Sequence, residues 1–189
     1  FVARLADAAD ALVLGDGREP RTQVGPLIHA AAREKVEQYL DPAVVQGAEV
    51  VCGGSRPRGA RTAAGFFYRP TVIVDVKPGS RLATEEIFVP VLSVIRGGSY
   101  AQAARVNKEV RYGLSSSIYT GNVNLAFRAM EDLQNGITYV NAPTIGAEAH
   151  LPFGGVKQTG NGHREGGWEV FNFYSETKVC YVDYSGRLQ

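Results

Sequence analysis

The sequence predicts an α/β fold in which parallel strand pairs are flanked by helices. From about residue 47 to residue 141, short β-branched or aromatic segments alternate with amphipathic segments, which is typical of α/β layers. The chain has 189 residues, 44% of them hydrophobic, so it is long enough to bury one sizeable core. We expect one globular domain over residues 1–175, and a terminal strand and tail over residues 176–189.

The first residues of the chain have the periodicity of a helix. An apolar stripe of helical spacing ends before Gly15, a residue suited to a left-handed C-cap. The members of this stripe are Phe1, Val2, Leu5, Ala8, Ala9 and Leu12. A second helix is predicted from about His29 to Leu40. Because Phe1 already belongs to the first stripe, we expect the chain to be part of a longer protein.

Glycine and proline breakers separate the elements that follow. Segments rich in β-branched and aromatic residues predict strands, and segments of helical spacing predict helices. The predicted strands lie within residues 47–54, 66–76, 90–97, 114–121 and 137–141. The predicted helices lie within residues 99–110 and 122–136.

Two segments depart from this alternation. Residues 142–167 are rich in glycine and lack periodicity, which is typical of functional loops. Residues 177–184 are apolar on both faces, so a terminal strand at this position would need cover on both sides. We expect a neighbouring subunit to supply part of that cover.

Composition excludes several classes of partner. Twenty Lys and Arg residues against nineteen Asp and Glu give a net charge of +1, and the basic residues form no stripe, so we expect no nucleic-acid partner. No apolar run reaches the roughly 18 residues of a membrane span, and no secretory signal is visible. Two distant cysteines, Cys52 and Cys180, predict neither a disulfide framework nor a zinc site. We expect a cytoplasmic protein.

Motifs for common chemistry fail in detail. "GNGHREG" is one residue too long for the dinucleotide fingerprint, and "GVKQTGNG" lacks the Lys-Ser/Thr of a P-loop. "GLSSS" lacks the second glycine of a nucleophile elbow. Both cysteines follow apolar residues and are predicted to be buried hydrophobes. The three histidines share no ligand spacing, so the residues themselves indicate no nucleophile and no metal site.

The segment "EEIFVPVL", residues 85–92, places two carboxylates before an apolar run. Neighbouring residues of an extended chain point to opposite faces, so Glu85 and Glu86 cannot form a close acid–base pair. Glu86 could accept two hydrogen bonds from the diol of a ribose, and Phe88, on the same face, could pack against a flat ring. In the alternative interpretation, Glu86 caps a turn and Phe88 belongs to the core.

Several motifs in a fixed order carry a resemblance to a known family. "VGPLIHAAAREKVEQYL", "AEVVCGG", "EEIFVPVL", "YGLSSSIYT", "GITYVNAPT" and "LPFGGVKQTGNGHREGG" resemble the C-terminal portion of the NAD(P)-dependent aldehyde dehydrogenases. The match covers nearly the whole chain. It implies an aldehyde-dehydrogenase-like catalytic domain, with a mostly parallel sheet flanked by helices, that is truncated at its N-terminus.

The resemblance implies roles in cofactor binding for three residues. Glu86 matches the family's ribose-binding glutamate, and Phe88 matches the phenylalanine beside the nicotinamide. Lys35 falls where some members have a lysine near the same ribose, while a solvated helix lysine is the alternative. Val89 stands where most members have glycine, and its β-branched side chain restricts the backbone beside Phe88. The implied cofactor is NAD or NADP.

The resemblance also implies substrate-binding residues. Asn141 matches the asparagine of a turn near the active site, and Phe153 matches an aromatic that lines the aldehyde tunnel. Gly146 and Ala147 match an anchor loop whose backbone N–H groups hold a carboxylate in members that oxidise semialdehydes. The implied substrate is therefore a small-molecule aldehyde, and a carboxylated semialdehyde, such as glutamic or aminoadipic semialdehyde, is our hypothesis.

Members of the family use a cysteine thiolate to attack the aldehyde, transfer a hydride to the nicotinamide and hydrolyse the thioester with a glutamate base. The resemblance places both catalytic residues before the position of Phe1, so no catalytic residue is expected in this chain and no turnover is expected from it alone. The terminal strand implies a homo-oligomer, either a dimer or a tetramer. A non-catalytic oligomerisation or partner-binding module is the alternative function.

Overall fold

The α/β class is confirmed by a computed structural model, which describes residues 1–146 and 148–187. The chain divides into two compact units. The first unit comprises Phe1–Val110, and the second begins at Arg111. This division falls at a different place from the predicted boundary between residues 175 and 176, which stays a prediction.

The first unit contains five helices and three strands among its described residues. The helices are α1 (Val2–Asp10), α2 (Ala30–Val45), α3 (Ala60–Ala63), α4 (Arg81–Thr84) and α5 (Tyr100–Glu109). The strands are β1 (Glu49–Cys52), β2 (Thr71–Val74) and β3 (Val91–Ser93). They form one sheet of order β1-β2-β3, in which β1 pairs with β2 antiparallel and β2 with β3 parallel.

The core of the first unit lies between α2 and this sheet. Four residues of α2 are buried, and they share one face of the helix. These residues are Val36, Tyr39, Leu40 and Ala43. Val36 and Ile73 of β2 are fully buried and belong to the same cluster. Burial of this apolar face stabilises α2 more than helix propensity does.

Two helix boundaries differ from the sequence prediction. Helix α1 ends at Asp10, because the chain beyond it forms a parallel bridge between Leu14 and Val24 instead of a further helical turn. Helix α2 continues past Leu40 through Pro42 to Val45. Ala43 beyond the proline is buried in the core, so tertiary packing overrides the usual breaking effect of proline.

The second unit has two pairs of strands and two helices among its described residues. The elements are β4 (Tyr112–Gly113), β5 (Ser115–Ile118), α6 (Val123–Asp132), β6 (Ile137–Val140), β7 (Val156–Lys157) and α7 (Glu169–Tyr174). Strands β5 and β6 pair parallel, and β4 and β7 pair antiparallel. The predicted strand–helix–strand order over residues 114–141 is confirmed, with Asn122 capping α6 through its side chain.

The predicted terminal strand is not formed. Residues 175–187 adopt neither helix nor strand, and their apolar side chains are exposed. A terminal strand needs a neighbouring backbone for its hydrogen bonds, and this segment makes no ladder within the described chain. Cys180 is therefore exposed, whereas the sequence predicted it to be buried; Cys52 on β1 is half-buried.

Among the described residues, no helix combines the length and the apolar character that crossing a membrane requires.

Candidate functional site

Residues 85–90 form a loop between α4 and β3, not the start of a strand. Ile87 and Val89 pack against the core cluster, whereas Glu86 and Phe88 are exposed. The alternation that placed Glu86 and Phe88 on one face is thus retained in the loop. The alternative in which Phe88 belongs to the core is wrong, because its side chain is 87% exposed.

Phe88 has a left-handed backbone, with φ of 60°. Such a conformation is unfavourable for bulky residues and is concentrated at functional sites, where surrounding contacts maintain it. The packing of Val89 against the core provides one of these contacts. Val89, at the position where the resemblance predicts glycine, packs its side chain against the core. The left-handed backbone conformation falls on Phe88 and not on Val89.

Lys35 contacts this loop directly. Its Nζ atom donates hydrogen bonds to the carbonyl oxygens of Ile87 and Glu86, at 3.0 and 3.2 Å. Lys35 is half-buried on α2, and its ammonium group is engaged by this loop; its assignment to the ribose stays a prediction. The structure thus brings together all three residues that the sequence assigned to cofactor binding.

The two adjacent carboxylates have different surroundings. Glu85 accepts a 2.6 Å hydrogen bond from the Tyr39 hydroxyl and pairs with Arg81 at 3.2 Å. The hydrogen bond to Glu85, aided by burial, raises the pKa of Tyr39 above its ordinary value. Within the described chain, the carboxylate of Glu86 has no hydrogen-bond partner. Glu85 is thus engaged by the protein, and Glu86 is free to accept hydrogen bonds from a ligand.

Two cations flank the ring of Tyr39. The Arg81 guanidinium lies 4.5 Å from the ring centroid and the Lys35 ammonium 5.8 Å from it. Such contacts favour cations over an aromatic face. Sequence reasoning assigned no role to Tyr39 beyond the apolar face of α2 and none to Arg81. Only the spacing of Lys35 and Tyr39, four residues apart on one helix face, could have indicated the pairing.

In the second unit, Asn141 follows β6 with a left-handed φ of 53°. Its Nδ2 atom donates to the carbonyl oxygen of Thr120 at 3.0 Å, and its Oδ1 atom accepts from the N–H of Thr120 at 2.8 Å. Asn141 also donates its own N–H to the carbonyl oxygen of Ile118 at 2.8 Å. The amide therefore joins the ends of β5 and β6 and sets the direction of the following loop.

The predicted anchor loop is described only in part. Gly146 is half-buried, and its carbonyl oxygen accepts a hydrogen bond from the Tyr139 hydroxyl. Ala147 lies outside the described residues. Gly146 is thus held by its carbonyl oxygen, which leaves the role of its N–H group as a prediction.

Phe153 lines a cavity of about 460 Å³ in the second unit. Its backbone pairs with Glu165 in an antiparallel bridge, which folds the glycine-rich segment onto itself. The carbonyl oxygen of Gly154 would lie 1.7 Å from a Cβ atom added to Gly136. The loop can therefore pack this closely only against glycine, which gives Gly136 a packing role besides the helix-ending role that the sequence suggested.

Arg164 lines the same cavity as Phe153. Its side chain crosses Gly154, with Cδ 2.9 Å from the position of an added Cβ atom, and its Nη1 donates to the carbonyl oxygen of His163 at 3.2 Å. In the described part of the chain, Arg164 has no acidic partner. Sequence reasoning missed this residue, because an arginine in a glycine-rich loop carries no signal of its own.

The described residues offer no group of three or more His, Cys, Asp or Glu side chains arranged to hold a metal ion. The side chains described in each unit are suited to binding a small molecule. The first unit presents a free carboxylate beside an exposed aromatic ring, a combination that suits a ribose with an attached flat ring. The second unit presents an aromatic ring and a guanidinium in one cavity, which suits an organic molecule that carries an anion.

Comparison with known proteins identifies the family. The family-wide sequence profile of the aldehyde dehydrogenase family matches residues 1–180. An α-ketoglutarate semialdehyde dehydrogenase of Haloferax volcanii is 37% identical over 97% of this chain and 38% of its own length. A betaine aldehyde dehydrogenase of Cereibacter sphaeroides is 37% identical over 96% of this chain and 36% of its own length. The chain thus spans less than two fifths of these relatives.

Solved structures give the same result. A putative aldehyde dehydrogenase from Burkholderia cenocepacia superposes with a TM-score of 0.93 and 31% identity, over 100% of this chain and 38% of that one. Betaine aldehyde dehydrogenase from Staphylococcus aureus, in complex with NAD⁺, superposes with a TM-score of 0.85 and 32% identity, over 92% of this chain and 34% of that one. The chain therefore belongs to the aldehyde dehydrogenase family.

Proposed function

We propose that this chain is part of an enzyme that oxidises an aldehyde to the acid with NAD⁺ or NADP⁺, and that the loop of residues 85–90 binds the nicotinamide riboside of the cofactor. The observation that carries this proposal is the exposed ring of Phe88, maintained in a left-handed backbone beside the free carboxylate of Glu86. Strained residues of this kind cluster at ligand sites.

Each of the three residues has a role in cofactor binding. The Glu86 carboxylate accepts hydrogen bonds from the two ribose hydroxyls. The Phe88 ring packs against the nicotinamide. Lys35 fixes the backbone between these two residues through its bonds to the carbonyl oxygens of Glu86 and Ile87. The relatives from Staphylococcus aureus and Mycobacterium tuberculosis, whose structures contain NAD⁺, support a dinucleotide as the ligand.

The bound nicotinamide supplies the acceptor for a hydride from the substrate carbon. This chain's residues orient the ring and the ribose so that the acceptor atom is held in a fixed position. A cysteine thioester intermediate is part of the proposal, as the family resemblance implies. Neither Cys52 nor Cys180 is predicted to provide the thiolate, so we expect it from elsewhere in the protein. The 189-residue chain alone is then expected to show no turnover.

On the aldehyde side, we assign Phe153 to the wall of the substrate tunnel and Asn141 to the turn that directs the anchor loop. Gly146 and Ala147 are assigned to the recognition of a substrate carboxylate. The guanidinium of Arg164 lines the same cavity as Phe153 and has no acidic partner among the described residues. It supports an anionic substrate because arginine binds carboxylates in a bidentate geometry. A carboxylated semialdehyde is therefore the substrate class that we propose.

The exposed tail supports assembly into a homo-oligomer. Val179, Tyr181 and Tyr184 are each more than 80% exposed, and pairing with another subunit's sheet would cover them. A dimer and a tetramer are both compatible with this proposal. We place the protein in the cytoplasm, where its two free cysteines would stay reduced.

The alternative of a non-catalytic oligomerisation module is not favoured, because the relatives are named as aldehyde-oxidising enzymes. A direct test uses the protein expressed from its complete gene, supplied with NAD⁺ or NADP⁺. Absorbance at 340 nm follows reduction of the cofactor with glutamic semialdehyde, with an uncharged aldehyde of equal length and with betaine aldehyde.

We expect the highest kcat/KM with the carboxylated substrate. An equal or lower kcat/KM for the carboxylated substrate would overturn the substrate class, and no reduction of either cofactor with any aldehyde would overturn the proposed enzyme. The 189-residue chain assayed alone serves as the control without turnover. Measurable oxidation by that chain would contradict the expectation that catalytic residues lie elsewhere.

A further inference from the structure

The unusual backbone at Phe88 requires a cause in its surroundings. A bulky residue in the left-handed region is unfavourable in isolation, and it persists only where neighbouring contacts over-determine it. After Phe88, the packed side chain of Val89 fixes the chain. Before Phe88, the two hydrogen bonds of Lys35 fix the carbonyl groups of Glu86 and Ile87. Other contacts fix the entrance of the loop.

Glu85 is the residue at this entrance. Its carboxylate receives the 2.6 Å hydrogen bond of the Tyr39 hydroxyl and the ion pair with Arg81. Tyr39 is 8% exposed and belongs to the core cluster, so its ring cannot move without disturbing the core. The hydroxyl of Tyr39 is therefore a fixed point to which the chain is attached directly before Glu86.

Helix α2 supplies both attachments of the loop. Lys35 and Tyr39 are four residues apart, so they lie on the same face of the helix, one turn from each other. One attachment holds the backbone carbonyls of Glu86 and Ile87, and the other holds the side chain of Glu85. A single rigid helix thus sets the position of three consecutive residues.

We propose that Tyr39, Arg81 and Glu85 are positioning residues that hold residues 86–88 in the conformation that presents Phe88 and Glu86 to the cofactor. The cofactor part of this inference rests on the proposed function. The hydrogen bond between Tyr39 and Glu85 carries most of the effect, because it has a buried donor and a charged acceptor. The ion pair contributes less, because the side chain of Arg81 is 63% exposed.

A purely structural interpretation competes with this proposal. In that interpretation, the carboxylate of Glu85 only satisfies the hydroxyl of a core tyrosine. Tyr68 provides a matched control, since it is a second tyrosine of the same cluster, 2% exposed, whose hydroxyl has no hydrogen bond in the described chain. Tyr39→Phe and Tyr68→Phe each remove one hydroxyl from the same core cluster. Only Tyr39→Phe also removes a hydrogen bond to the loop.

The first measurement is hydrogen exchange by mass spectrometry on the protein expressed from its complete gene. Two amides report on the loop: that of Glu85, bonded to the carbonyl oxygen of Arg81, and that of Val91, bonded to the carbonyl oxygen of Val89. In Tyr39→Phe, we expect both to exchange about tenfold faster. The amide of Val94, bonded to the carbonyl oxygen of Ile73, should be unchanged.

Conservative variants test the chemistry of the attachment. Glu85→Gln keeps an acceptor for the hydroxyl, so exchange should rise by less than about threefold, whereas Glu85→Ala should match Tyr39→Phe. Tyr68→Phe should leave both reporting amides unchanged. The proposal is overturned if the loop amides are unaffected in Tyr39→Phe, or if they are affected equally in Tyr68→Phe.

The second measurement is NAD⁺ binding by calorimetry with the same variants. Tyr39→Phe should raise the Kd by about tenfold and leave the KM for the aldehyde unchanged. Glu86→Ala tests the proposed function separately. If Glu86→Ala weakens binding and Tyr39→Phe does not, the positioning role is wrong. If neither variant affects NAD⁺ binding, the proposed cofactor site is wrong. The proposal that the three residues present the loop to a cofactor is then wrong as well, even if the exchange rates change as expected.

Discussion

At the residue scale, two adjacent glutamates have different surroundings. Glu85 faces Tyr39 and Arg81 and is bonded to both, while Glu86 is exposed. A single step along an extended chain reverses the direction of the side chain, so one carboxylate can anchor the loop and the next can face a ligand. This explains why so much charge precedes the apolar residues of β3.

The hydroxyl of Tyr39 makes stability dependent on pH in the alkaline range. Its pKa is raised by the bond to Glu85, so the bond contributes stability below the ordinary tyrosine pKa of about 10, and this contribution is lost as pH rises through the raised value. We expect the free energy of unfolding, measured with urea at pH 8 and pH 11, to fall less in Tyr39→Phe than in the native protein.

Tyr68 provides the internal check on this prediction. Burial raises the pKa of Tyr68 as well, so part of the alkaline destabilisation should remain in Tyr39→Phe and disappear in the double variant. An identical pH dependence in the native protein and in Tyr39→Phe would contradict the assignment of the hydrogen bond to Glu85.

At the element scale, the parallel pair of β5 and β6 ends in a clamp formed by Asn141. Its side chain bonds to both the N–H and the carbonyl oxygen of Thr120, and its left-handed φ of 53° is one that asparagine tolerates better than most residues. The clamp fixes the point at which the chain leaves β6 for the predicted anchor loop, and the role that we propose for Asn141 on the substrate side is this positioning.

Replacing Asn141 should therefore destabilise the second unit. Asn141→Ala removes two hydrogen bonds and places alanine at a positive φ, which together should cost about 2–3 kcal/mol. Asn141→Gly tolerates the backbone and should cost about 1–2 kcal/mol. Urea unfolding measures both changes.

The matched control for these variants is Asn124→Ala. Asn124 is an exposed residue of α6 without a hydrogen-bond partner in the described chain, and alanine favours the helix, so no loss of stability is expected. An equal loss in Asn124→Ala and Asn141→Ala would show that the clamp is not the cause.

The sequence predicted elements better than it predicted contacts. The order of strands and helices from residue 47 to residue 141 follows from the local pattern of apolar residues and breakers, and the exposure of Glu86 follows from alternation. The bond between Tyr39 and Glu85 joins residues 46 positions apart. No local pattern encodes such a pair, because tertiary packing decides which residues meet.

Helix α2 and the tail illustrate the same limit. The prediction ended α2 at about Leu40, whereas the helix continues through Pro42 to Val45, with Ala43 buried in the core, although proline usually stops a helix. The predicted terminal strand is absent from the described chain, because a strand requires a second backbone, which a local pattern does not supply.

At the scale of the whole molecule, the exposed tail is the feature on which the proposed assembly depends. Apolar side chains that are exposed together, such as Val179, Tyr181 and Tyr184, mark surfaces that bind another protein. Residues 177–184 belong to no strand pair within the described chain, so their backbone could form hydrogen bonds with the edge of a sheet. A second copy of the protein is the partner that the family resemblance implies.

Removal of the tail should therefore change the oligomeric state. We expect truncation after Glu176 to convert the protein from a dimer or tetramer to a smaller species, because the cover for the tail and the ladder to the neighbouring sheet are lost together. Light scattering coupled to size-exclusion chromatography measures the mass. A double replacement of Val179 and Tyr181 by Ser keeps the backbone and should weaken assembly only in part, whereas an unchanged mass after truncation would contradict the role of the tail.

The central claim is that the carboxylate of Glu86 binds the ribose of the nicotinamide half of the cofactor. The most direct measurement is the Kd for NAD⁺ of the protein expressed from its complete gene, in Glu86→Gln and in Glu85→Gln. We predict that Glu86→Gln raises the Kd by about ten- to a hundredfold, because hydrogen bonds to a charged acceptor are lost, and that Glu85→Gln raises it by less than about threefold. An unchanged Kd in Glu86→Gln, or a larger effect in Glu85→Gln, would contradict the claim.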